Sequence, residues 1–276
     1  MILNYLYEYS YTNSINHKPI CIKLPKISKN ELLTEIYFIV KPNVNNSYTC
    51  DLILSEIFVD WLTCEQLCYI INNLSELLKP YKLSKYVFIF GLPINKKTLI
   101  YSKSYDSQYL IRTLCDVRNL NIKNSVLRNI KKSIQKLNFT SKILSYNDFK
   151  NSLKLIQHAD YKYLKLSEQD IINLWNFYCQ DNGIMITAFF EENIVGCMFG
   201  SIINNKAYMI IHYYDSKFNN FFINDGLYYN FIDFCKRNMV DIVDFGTCHI
   251  NNRGLINMKK KYSTNLQITY VCRFKI

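Results

Sequence analysis

The fold is indicated most clearly by Val240-Asp-Ile-Val-Asp-Phe-Gly246, followed by Gly254-Leu-Ile-Asn-Met-Lys-Lys-Lys-Tyr262. The first segment is a short apolar run, which predicts a buried strand that stops where Gly246 lets the chain turn. The second segment predicts a short helix that carries Lys259 back towards the end of that strand. Ligands bind beyond the carboxyl ends of strands in open α/β sheets, so this lysine is a candidate for contacting a carbonyl oxygen or a phosphate.

Three strands precede this stretch, and short polar turns join them. We predict the strands Ile184–Phe190, Ile194–Ile203 and Lys206–Tyr214, which together form an antiparallel meander. A helix from about Asp225 to Lys236 follows, and a final strand alternates apolar residues from Leu266 to Ile276. This order of helices and strands predicts an α/β fold with a mixed sheet.

The earlier part of the chain alternates in the same way. We predict strands over 31–40, 51–59, 86–90, 139–144 and near 109–114, and helices over 64–78, over 125–137 and after Ser145 and Ser167. The apolar stripe of the first helix is Leu67, Ile70, Ile71, Leu74, Leu77 and Leu78, and that of the second is Leu127, Ile130, Ile134 and Leu137. All five prolines lie at or before Pro93, whereas six of the seven glycines follow Gly91, which indicates two differently built halves.

Composition narrows the class of protein. The 276 residues carry a formal net charge of +11, which is typical of proteins that bind a polyanion. Lysines that arise from the codon bias of an AT-rich genome would produce the same total. No run of 18 apolar residues and no signal peptide is evident, so we expect a cytoplasmic protein. The ten cysteines include no Cys-x-x-Cys pair, which argues for free thiols and against a zinc site.

Four segments resemble motifs of the GNAT acyltransferase superfamily, and more closely its tandem-domain FemABX-like branch. They are Ser125-Val-Leu-Arg-Asn-Ile-Lys-Lys132, Ile194-Val-Gly-Cys-Met-Phe-Gly200, Ala207-Tyr-Met-Ile-Ile-His-Tyr-Tyr214, and Asp241-Ile-Val-Asp-Phe-Gly246 with Met258-Lys-Lys-Lys-Tyr262. The resemblance covers residues 118–276 and implies tandem GNAT-like domains, each a mixed, mostly antiparallel sheet flanked by helices. Residues 1–144 would be a degenerate N-terminal domain and residues 145–276 the acyltransferase domain.

The same resemblance implies site residues. Lys259 would stabilise negative charge on the donor carbonyl, as an oxyanion donor does. The other candidates for catalysis are Asp244, Tyr213 and His249, and those for contacting substrate are Tyr214, Met258 and Tyr262. Met258 and Tyr262 stand where that family favours Phe. The alternative for Asp244 is a carboxylate that caps the turn at Gly246, and we expect Lys260 and Lys261 to be a solvated helix face.

Phosphate groups of a donor or acceptor would need basic or backbone donors. Arg128, Lys131 and Lys132 suit phosphate oxygens, but they are equally explained as the outer face of an amphipathic helix. Enzymes of this superfamily that use acyl-CoA hold its pyrophosphate in a glycine-rich turn before a helix. The matching residues here are Asn224, Asp225 and Gly226, of which only Gly226 fits that pattern.

The implied function is transfer of an acyl group from a thioester, acyl-CoA or acyl carrier protein, to an amine of a sugar nucleotide, cell-wall precursor or surface glycan. The alternative is a FemX-like transferase that moves an amino acid from aminoacyl-tRNA to a peptidoglycan precursor. Acyl-CoA is the expected cosubstrate, and we expect no metal and no DNA. A peripheral membrane contact is compatible with either function. A nucleic-acid-binding module and a structural GNAT-like domain without activity are the competing classes.

Overall fold

The computed structural model describes residues 20–24, 35–42, 50–54, 59–60, 62–79, 86–93, 106–141, 145–158, 168–177, 179 and 183–275. The strands are β1 Ile20–Lys23, β2 Glu35–Pro42, β3 Cys50–Leu54, β4 Tyr86–Pro93, β5 Asp106–Asp116, β6 Asn138–Thr140, β7 Gly183–Phe190, β8 Asn193–Ile203, β9 Lys206–Tyr214, β10 Ile242–His249 and β11 Asn265–Lys275. The helices are α1 Cys64–Asn72, α2 Leu74–Leu78, α3 Asn124–Lys136, α4 Tyr146–His158, α5 Glu168–Phe177, α6 Ile223–Arg237 and α7 Arg253–Lys260.

Two compact units divide the chain. Unit 1 comprises residues 3–111 with 268–276, and unit 2 comprises residues 112–267. Unit 1 has the strand order β1-β2-β3-β4-β11. The pair β3 and β4 is parallel, and the other neighbouring pairs of this unit are antiparallel. Its helices α1 and α2 bury most of the predicted apolar stripe, namely Leu67, Ile70, Ile71, Leu74 and Leu78.

Unit 2 has the strand order β10-β9-β8-β7-β6, with the end of β5 beside β10. The pair β9 and β10 is parallel, and β6 to β9 pair in antiparallel order. The turns of this meander place Glu191, Asn204 and Asn205 at positive φ, between 45° and 60°, which Asn tolerates better than most residues. The three predicted antiparallel strands and the α/β class, with a mixed, mostly antiparallel sheet flanked by helices, are confirmed.

Helices cover both faces of the sheet of unit 2. Along β8, Cys197 and Phe199 point to α4, where the Cys197 thiol contacts Ser152 O at 3.2 Å and the Phe199 ring lies 5.9 Å from that of Phe149. Side chains alternate between the faces of a strand, so the residues between them face α6. A Cβ at Gly196 would lie within 3.2 Å of side-chain atoms of Ile223 and Leu227, on α6. Helix α4 therefore packs on one face of this sheet, and α6 packs on the other.

Several predicted boundaries are wrong. Strand β10 continues through Gly246, which has φ 73°, and ends at His249. The helix predicted over 64–78 is interrupted at Asn73, whose side-chain amide donates to Tyr69 O at 2.8 Å. Val59 was predicted in a strand and lies in a helical turn. Residues 31–34, 55–58 and 142–144, Ser167 and Ile276 lie outside the described residues.

Two predicted burial patterns are also wrong in part. On α3, Ile134 is exposed and Ser133 is buried, because Ser133 faces Gly226 of α6 at close range. On β11, Leu266 and Ile268 are exposed, while the later members of the predicted stripe, Tyr270, Cys272 and Phe274, are buried. Thr269 and Val271, on the other face of β11, are buried as well, so a strict alternation over the whole strand does not hold; the register with β4 also shifts between Tyr270 and Cys272.

The compact units do not coincide with the domains 1–144 and 145–276 expected from the sequence. Residues 112–144 lie in unit 2 because α3 packs along α6, where Asn129 donates to Asp225 at 3.0 Å. Residues 268–276 lie in unit 1 because β11 pairs with β4. The expected domain boundary after residue 144 remains a prediction about independently folding units. The compact units of the structure divide the chain after Ile111.

Candidate active site

The strands β9 and β10 pair over a short distance and then continue separately. Their parallel register runs from Ile242 with Lys206 to Asp244 with Tyr208, and the strands extend to His249 and Tyr214 respectively. Gly246 adopts φ 73° just past this register, a conformation that suits glycine. Backbone carbonyls of β10 beyond this point need donors other than β9, since buried backbone groups are almost always paired.

Lys259 supplies such a donor. Its side chain is 4% exposed, and Nζ donates to the carbonyl oxygen of Phe245 and, at 3.4 Å, to that of Gly246. Helix α7 aims it there, and Asn252 starts this helix by accepting from Leu255 N at 3.2 Å. The predicted return of Lys259 to this strand is therefore what the structure shows, and its catalytic role remains a prediction.

His212 lies beside Lys259 and was missed in the sequence. Its ring is 5.2 Å from that of Tyr228 on α6, edge to face. Burial, followed by the Lys259 ammonium, lowers the pKa of His212 to about 4, and the neighbouring Asn224 acts in the opposite direction. The imidazole is therefore neutral at pH 7. Its Nε2 and the Oδ1 of Asn224 are buried, and the Asn224 side chain acts on the pKa of His212 as a hydrogen-bonding neighbour of the imidazole. We call His212, Asn224 and Lys259 the His212 cluster.

Asp225, the residue after Asn224, is fully engaged. Its Oδ1 accepts from the Tyr262 hydroxyl and, at 3.0 Å, from Lys261 Nζ, and its Oδ2 accepts from Asn129 Nδ2 at 3.0 Å. Burial, and then the Asp225 charge, raises the pKa of Tyr262. We call Asp225, Asn129, Lys261 and Tyr262 the Asp225 brace, since it ties α6 to α3 and to the end of α7.

The brace changes the interpretation of several predicted residues. Tyr262 was predicted to contact substrate, but it is fully buried and stacks on Tyr228 at 5.0 Å. Lys261 was expected to be solvated; it is exposed, and it also forms an ion pair with Asp225. A Cβ at Gly226 would lie 2.3 Å from Phe139 and 2.4 Å from Ser133 Oγ, so packing alone accounts for this glycine. Donor binding by Asp225 and Gly226 remains a prediction with no further support from these contacts.

Asp244 is held by two cations. Its carboxylate is 1% exposed and accepts from Arg112 Nε at 2.8 Å, while Lys206 Nζ lies 3.1 Å away. The second oxygen accepts from Gly246 N at 2.9 Å. Asp244 therefore caps the turn at Gly246, as its alternative interpretation from the sequence expected. It also forms buried ion pairs with Arg112 and Lys206. A carboxylate so engaged holds the strands together, and nothing in its contacts supports the predicted role of aligning an amine.

The two tyrosines that end β9 face opposite sides of the sheet. Tyr213 pairs in register with Cys197, which faces α4, so Tyr213 lies away from Lys259. Tyr214 shares the α6 face with His212, at a ring distance of 5.7 Å. His249 is exposed at the end of β10, where Nδ1 accepts from Asn251 N at 3.2 Å. The structure therefore brings Tyr214, and neither Tyr213 nor His249, to the side of Lys259. One feature of the sequence could have identified His212: it lies two positions before Tyr214, so both side chains share one face of the strand.

The basic residues of α3 lie on its outer face. Arg128, Lys131 and Lys132 are exposed, which fits both readings offered for them. Lys132 Nζ lies 5.5 Å above the ring of Phe222, the residue that precedes α6 and has φ 55°. Lys132 is therefore close to the N-terminus of α6. Met258 is half-buried against the core of unit 2.

The described residues contain neither a metal-ligand group nor a membrane-spanning helix. Among the described residues, no group of His, Cys, Asp and Glu is arranged to hold a metal ion. No helix in the described ranges has the length and apolarity to cross a membrane. Cys115 and Cys197 are free thiols, and burial raises the pKa of each to about 12.

Solved structures share this fold. No protein-family model and no curated sequence matches the chain. FemX has a TM-score of 0.64 at 8% identity over 100% of this chain and 96% of its own. L-PGS from Bacillus licheniformis has 0.59 at 11% identity, over 86% of this chain and 80% of its own. A tandem GNAT protein from the clavulanic acid biosynthesis pathway has 0.53 at 7% identity, over 87% and 78%. At these identities the likeness concerns the fold alone: this chain shares the fold of FemX and of that tandem GNAT protein.

Proposed function

We propose that this chain is a transferase that moves an acyl group from a thioester to an amine. The observation that supports it most is the buried Lys259 ammonium, directed at the Phe245 and Gly246 carbonyls where β9 and β10 part. A buried cation among neutral dipoles interacts more strongly with a developing anion than it would in water. The GNAT-superfamily fold adds to this argument, because it is the fold of acyl transfer implied by the sequence resemblance.

The reaction would need few groups. The amine nitrogen attacks the thioester carbonyl carbon, the C–N bond forms, and negative charge develops on the carbonyl oxygen. Lys259 donates a hydrogen bond to that oxygen, and loss of one such donor typically costs about 2.7–4 kcal/mol. When the oxyanion collapses, the C–S bond breaks, the sulfur leaves as a thiolate and takes up a proton, and the nitrogen releases one.

The donor would bind along the start of α6. The first amides of a helix have no partner within it and favour anions, and Lys132 adds a positive charge near Phe222. Acyl-CoA is the proposed cosubstrate, with Asn224 and Asp225 in the first turn next to its phosphates. An acyl carrier protein, which is acidic, would also suit the exposed basic face of α3.

An aminoacyl-tRNA donor is the second candidate, favoured by the exposed Arg128 and Lys131 beside Lys132. The glycine at 226 is explained by packing, so a glycine-built pyrophosphate cradle has no independent support. With this donor the bond that breaks is the ester C–O bond to the ribose. The acceptor would then be a peptidoglycan precursor, as for the FemX-like enzymes that the sequence resembles.

For either donor, the proposed acceptor is the amine of a sugar nucleotide, a cell-wall precursor or a surface glycan, met in the cytoplasm. Hydroxyl acceptors are less suited to the site, because a weakly basic, neutral imidazole at His212 is a poor base for a group as feebly acidic as an alcohol.

The test is a transfer assay with both donor classes. The protein would be incubated with radiolabelled acetyl-CoA, longer acyl-CoAs, acyl carrier protein thioesters or aminoacyl-tRNA, together with amino sugar nucleotides and a peptidoglycan precursor. We expect label in the acceptor with one donor class, and its loss in Lys259→Met but not in Lys260→Met. Absence of transfer with every donor, and no thermal shift with any of them, would contradict the proposed function.

A further inference from the structure

The two carbonyl oxygens that accept from Lys259 are each held in place by another side chain. The first, on Phe245, belongs to the same planar peptide as the N–H of Gly246, which donates to Asp244 Oδ1 at 2.9 Å. The second, on Gly246, accepts from the hydroxyl of the fully buried Thr113 at 3.3 Å and from Lys259 at 3.4 Å. Asp244 therefore fixes the direction of one acceptor, and Thr113 that of the other.

Asp244 divides its two oxygens between charge and backbone. Oδ2 accepts from Arg112 Nε at 2.8 Å and lies 3.1 Å from Lys206 Nζ, while Oδ1 accepts from Gly246 N. Because Oδ2 is tied to β5 and β9, the carboxylate has one orientation, and so does the N–H that it accepts. Arg112 and Thr113 are consecutive residues of β5, so their side chains point to opposite faces of the strand. Strand β5 therefore holds Gly246 in two ways, through Asp244 and directly through Thr113.

We propose that Asp244 and Thr113 are positioning residues for Lys259, an inference that rests on the transferase function proposed above. Gly246, at φ 73°, has no Cβ to restrict its backbone, so only its hydrogen bonds keep these two carbonyls in one direction. A buried ammonium stays with its acceptors, because burying it without them is costly. Both residues therefore act through the place of Lys259 Nζ, and neither contacts the reacting atoms.

The position of the ammonium matters because an oxyanion donor is effective only when it is in place before the reaction. A misplacement of about 1 Å can cost on the order of a hundredfold in rate. Thr113→Val removes a neutral hydroxyl and keeps the shape of the side chain. In Asp244→Asn the amide oxygen would face Arg112 and Lys206, so its NH2 group would face the N–H of Gly246 and the cap would be lost.

The first test needs no donor and follows the lysine ammonium groups of the 15N-labelled full chain by NMR at pH 7. Protons of solvated ammonium groups exchange too fast to be observed there, whereas those of a buried, hydrogen-bonded ammonium remain visible. We expect one signal that is absent in Lys259→Met. Its proton exchange should become faster by about fivefold or more in Thr113→Val and Asp244→Asn, and should recover in Thr113→Ser, which keeps the hydroxyl.

The matched control is Thr187→Val. Thr187 is also fully buried, but it lies on β7, where its hydroxyl adjoins that of Ser152. This variant should leave the Lys259 signal unchanged. Two results would overturn the proposal: a wild-type spectrum with no signal that Lys259→Met removes, or exchange in Thr113→Val equal to that in Thr187→Val. The second result holds whether or not Asp244→Asn folds, because Thr113→Val disturbs no charge.

The second test is kinetic, once a donor is known. Thr113→Val should lower kcat about three- to tenfold and leave the KM of donor and acceptor within about twofold. In the Lys259→Met background the same change should have no further effect, because a positioning residue acts only through Lys259, whereas independent effects add. An additive loss in the double variant would assign Thr113 to the fold alone and overturn the proposal.

The two tests separate this proposal from the proposed function. A Lys259 signal that depends on Thr113, with no transfer from any donor, would support the fixed ammonium and contradict the transferase function. Transfer that depends on Lys259 but on neither Thr113 nor Asp244 would refute the positioning role and leave the proposed function standing.

Discussion

Asn224 and Asp225 are neighbours in the first turn of α6, yet their side chains are held differently. Both carboxylate oxygens of Asp225 are occupied, by Asn129, Lys261 and Tyr262. The amide of Asn224 is neutral, and its buried oxygen has the His212 imidazole as a hydrogen-bonding neighbour. The difference separates two uses of buried polar groups: Asp225 links three elements through its hydrogen bonds and ion pair, whereas the Asn224 amide acts locally on the His212 imidazole.

The two groups depend on each other through α6 and α7. The Asp225 brace holds the start of α6 against the end of α7, three residues beyond Lys259. Tyr228 and Tyr262 stack at 5.0 Å between them, which leaves little freedom for one helix to shift without the other. The brace therefore orients the His212 cluster, and substitutions in each should have distinct effects.

The largest effect is expected on turnover, from Lys259→Met. Loss of an oxyanion donor should cost about 3–4 kcal/mol of transition-state stabilisation, a hundredfold drop or more in kcat/KM. Methionine keeps the aliphatic stem and suits a helix, so the fold should persist, as a thermal melt would check. The control is Lys260→Met, on an exposed residue. Lys261→Met is no control because it would open the brace, and similar losses for Lys259→Met and Lys260→Met would contradict the catalytic role.

Asp225→Ala should have the largest effect on stability. It removes the acceptor of the buried Tyr262 hydroxyl and the partner of Lys261, so we expect a loss of about 3 kcal/mol in the free energy of unfolding. Urea denaturation followed by circular dichroism measures it. The neighbouring Asn224→Leu should cost less, because it removes a neutral amide rather than a buried charge with three partners. Equal losses in the two variants would show that the contrast between these residues is not real.

Gly226 of the predicted donor site and Gly254 of α7 make a matched pair. In Gly226→Ala the new Cβ meets Phe139 and Ser133 within 2.4 Å, and overpacking of this kind costs about 1–3 kcal/mol. In Gly254→Ala the Cβ meets nothing within 4 Å, and alanine gains helix propensity, so stability should be unchanged or higher. The measurement is the urea midpoint of each variant. A stable Gly226→Ala that has lost donor binding would instead favour the predicted role of Gly226 in the donor site.

The smallest expected effect is on the pH dependence of stability. The pKa of His212 is about 4 when folded and about 6.5 when unfolded, so the unfolded state binds more protons between these values. The free energy of unfolding that is linked to the neutral His212 imidazole is fully present above pH 6.5 and is lost as the pH falls towards 4. The loss between pH 7 and pH 5 is about 1–2 kcal/mol. His212→Asn should flatten this part of the profile, and His249→Asn should not. A profile that His212→Asn leaves unaltered would mean that the imidazole is not buried near a cation.

Much of the fold was predictable because it depends on local signals. The meander from β7 to β9 follows from apolar runs joined by short turns, and α7 follows from a short helical segment after a strand. Where these predictions were wrong, a distant contact decided the result. Ile134 is exposed and Ser133 buried because α3 rests on Gly226, about ninety positions along the chain, and β11 shifts its register against β4.

The residues of the candidate site also divide into those that local sequence predicts and those whose contacts depend on distant parts of the chain. Lys259 was found because a helix of fixed length after a strand returns to that strand, and both elements are close in the sequence. The predicted roles of Asp244 and Tyr262 remain predictions. Their partners Arg112 and Asp225 lie 132 and 37 positions away, so the sequence pattern did not reveal these contacts. His212 was overlooked since a single histidine within an apolar strand carries no pattern of its own.

The sequence by itself determined the order of the elements, the antiparallel meander and the return of Lys259 to β10, because periodicity and turn residues act over a few positions. Only the tertiary structure decided which buried polar groups are matched. It paired the charges of Asp244 and Asp225 with residues from other elements, turned Tyr213 away from Lys259, and brought His212 and Asn224 together beside Lys259. The physical reason is that hydrogen bonds and desolvation depend on distances between segments far apart in the chain, and these are set only when the sheet and its helices have packed.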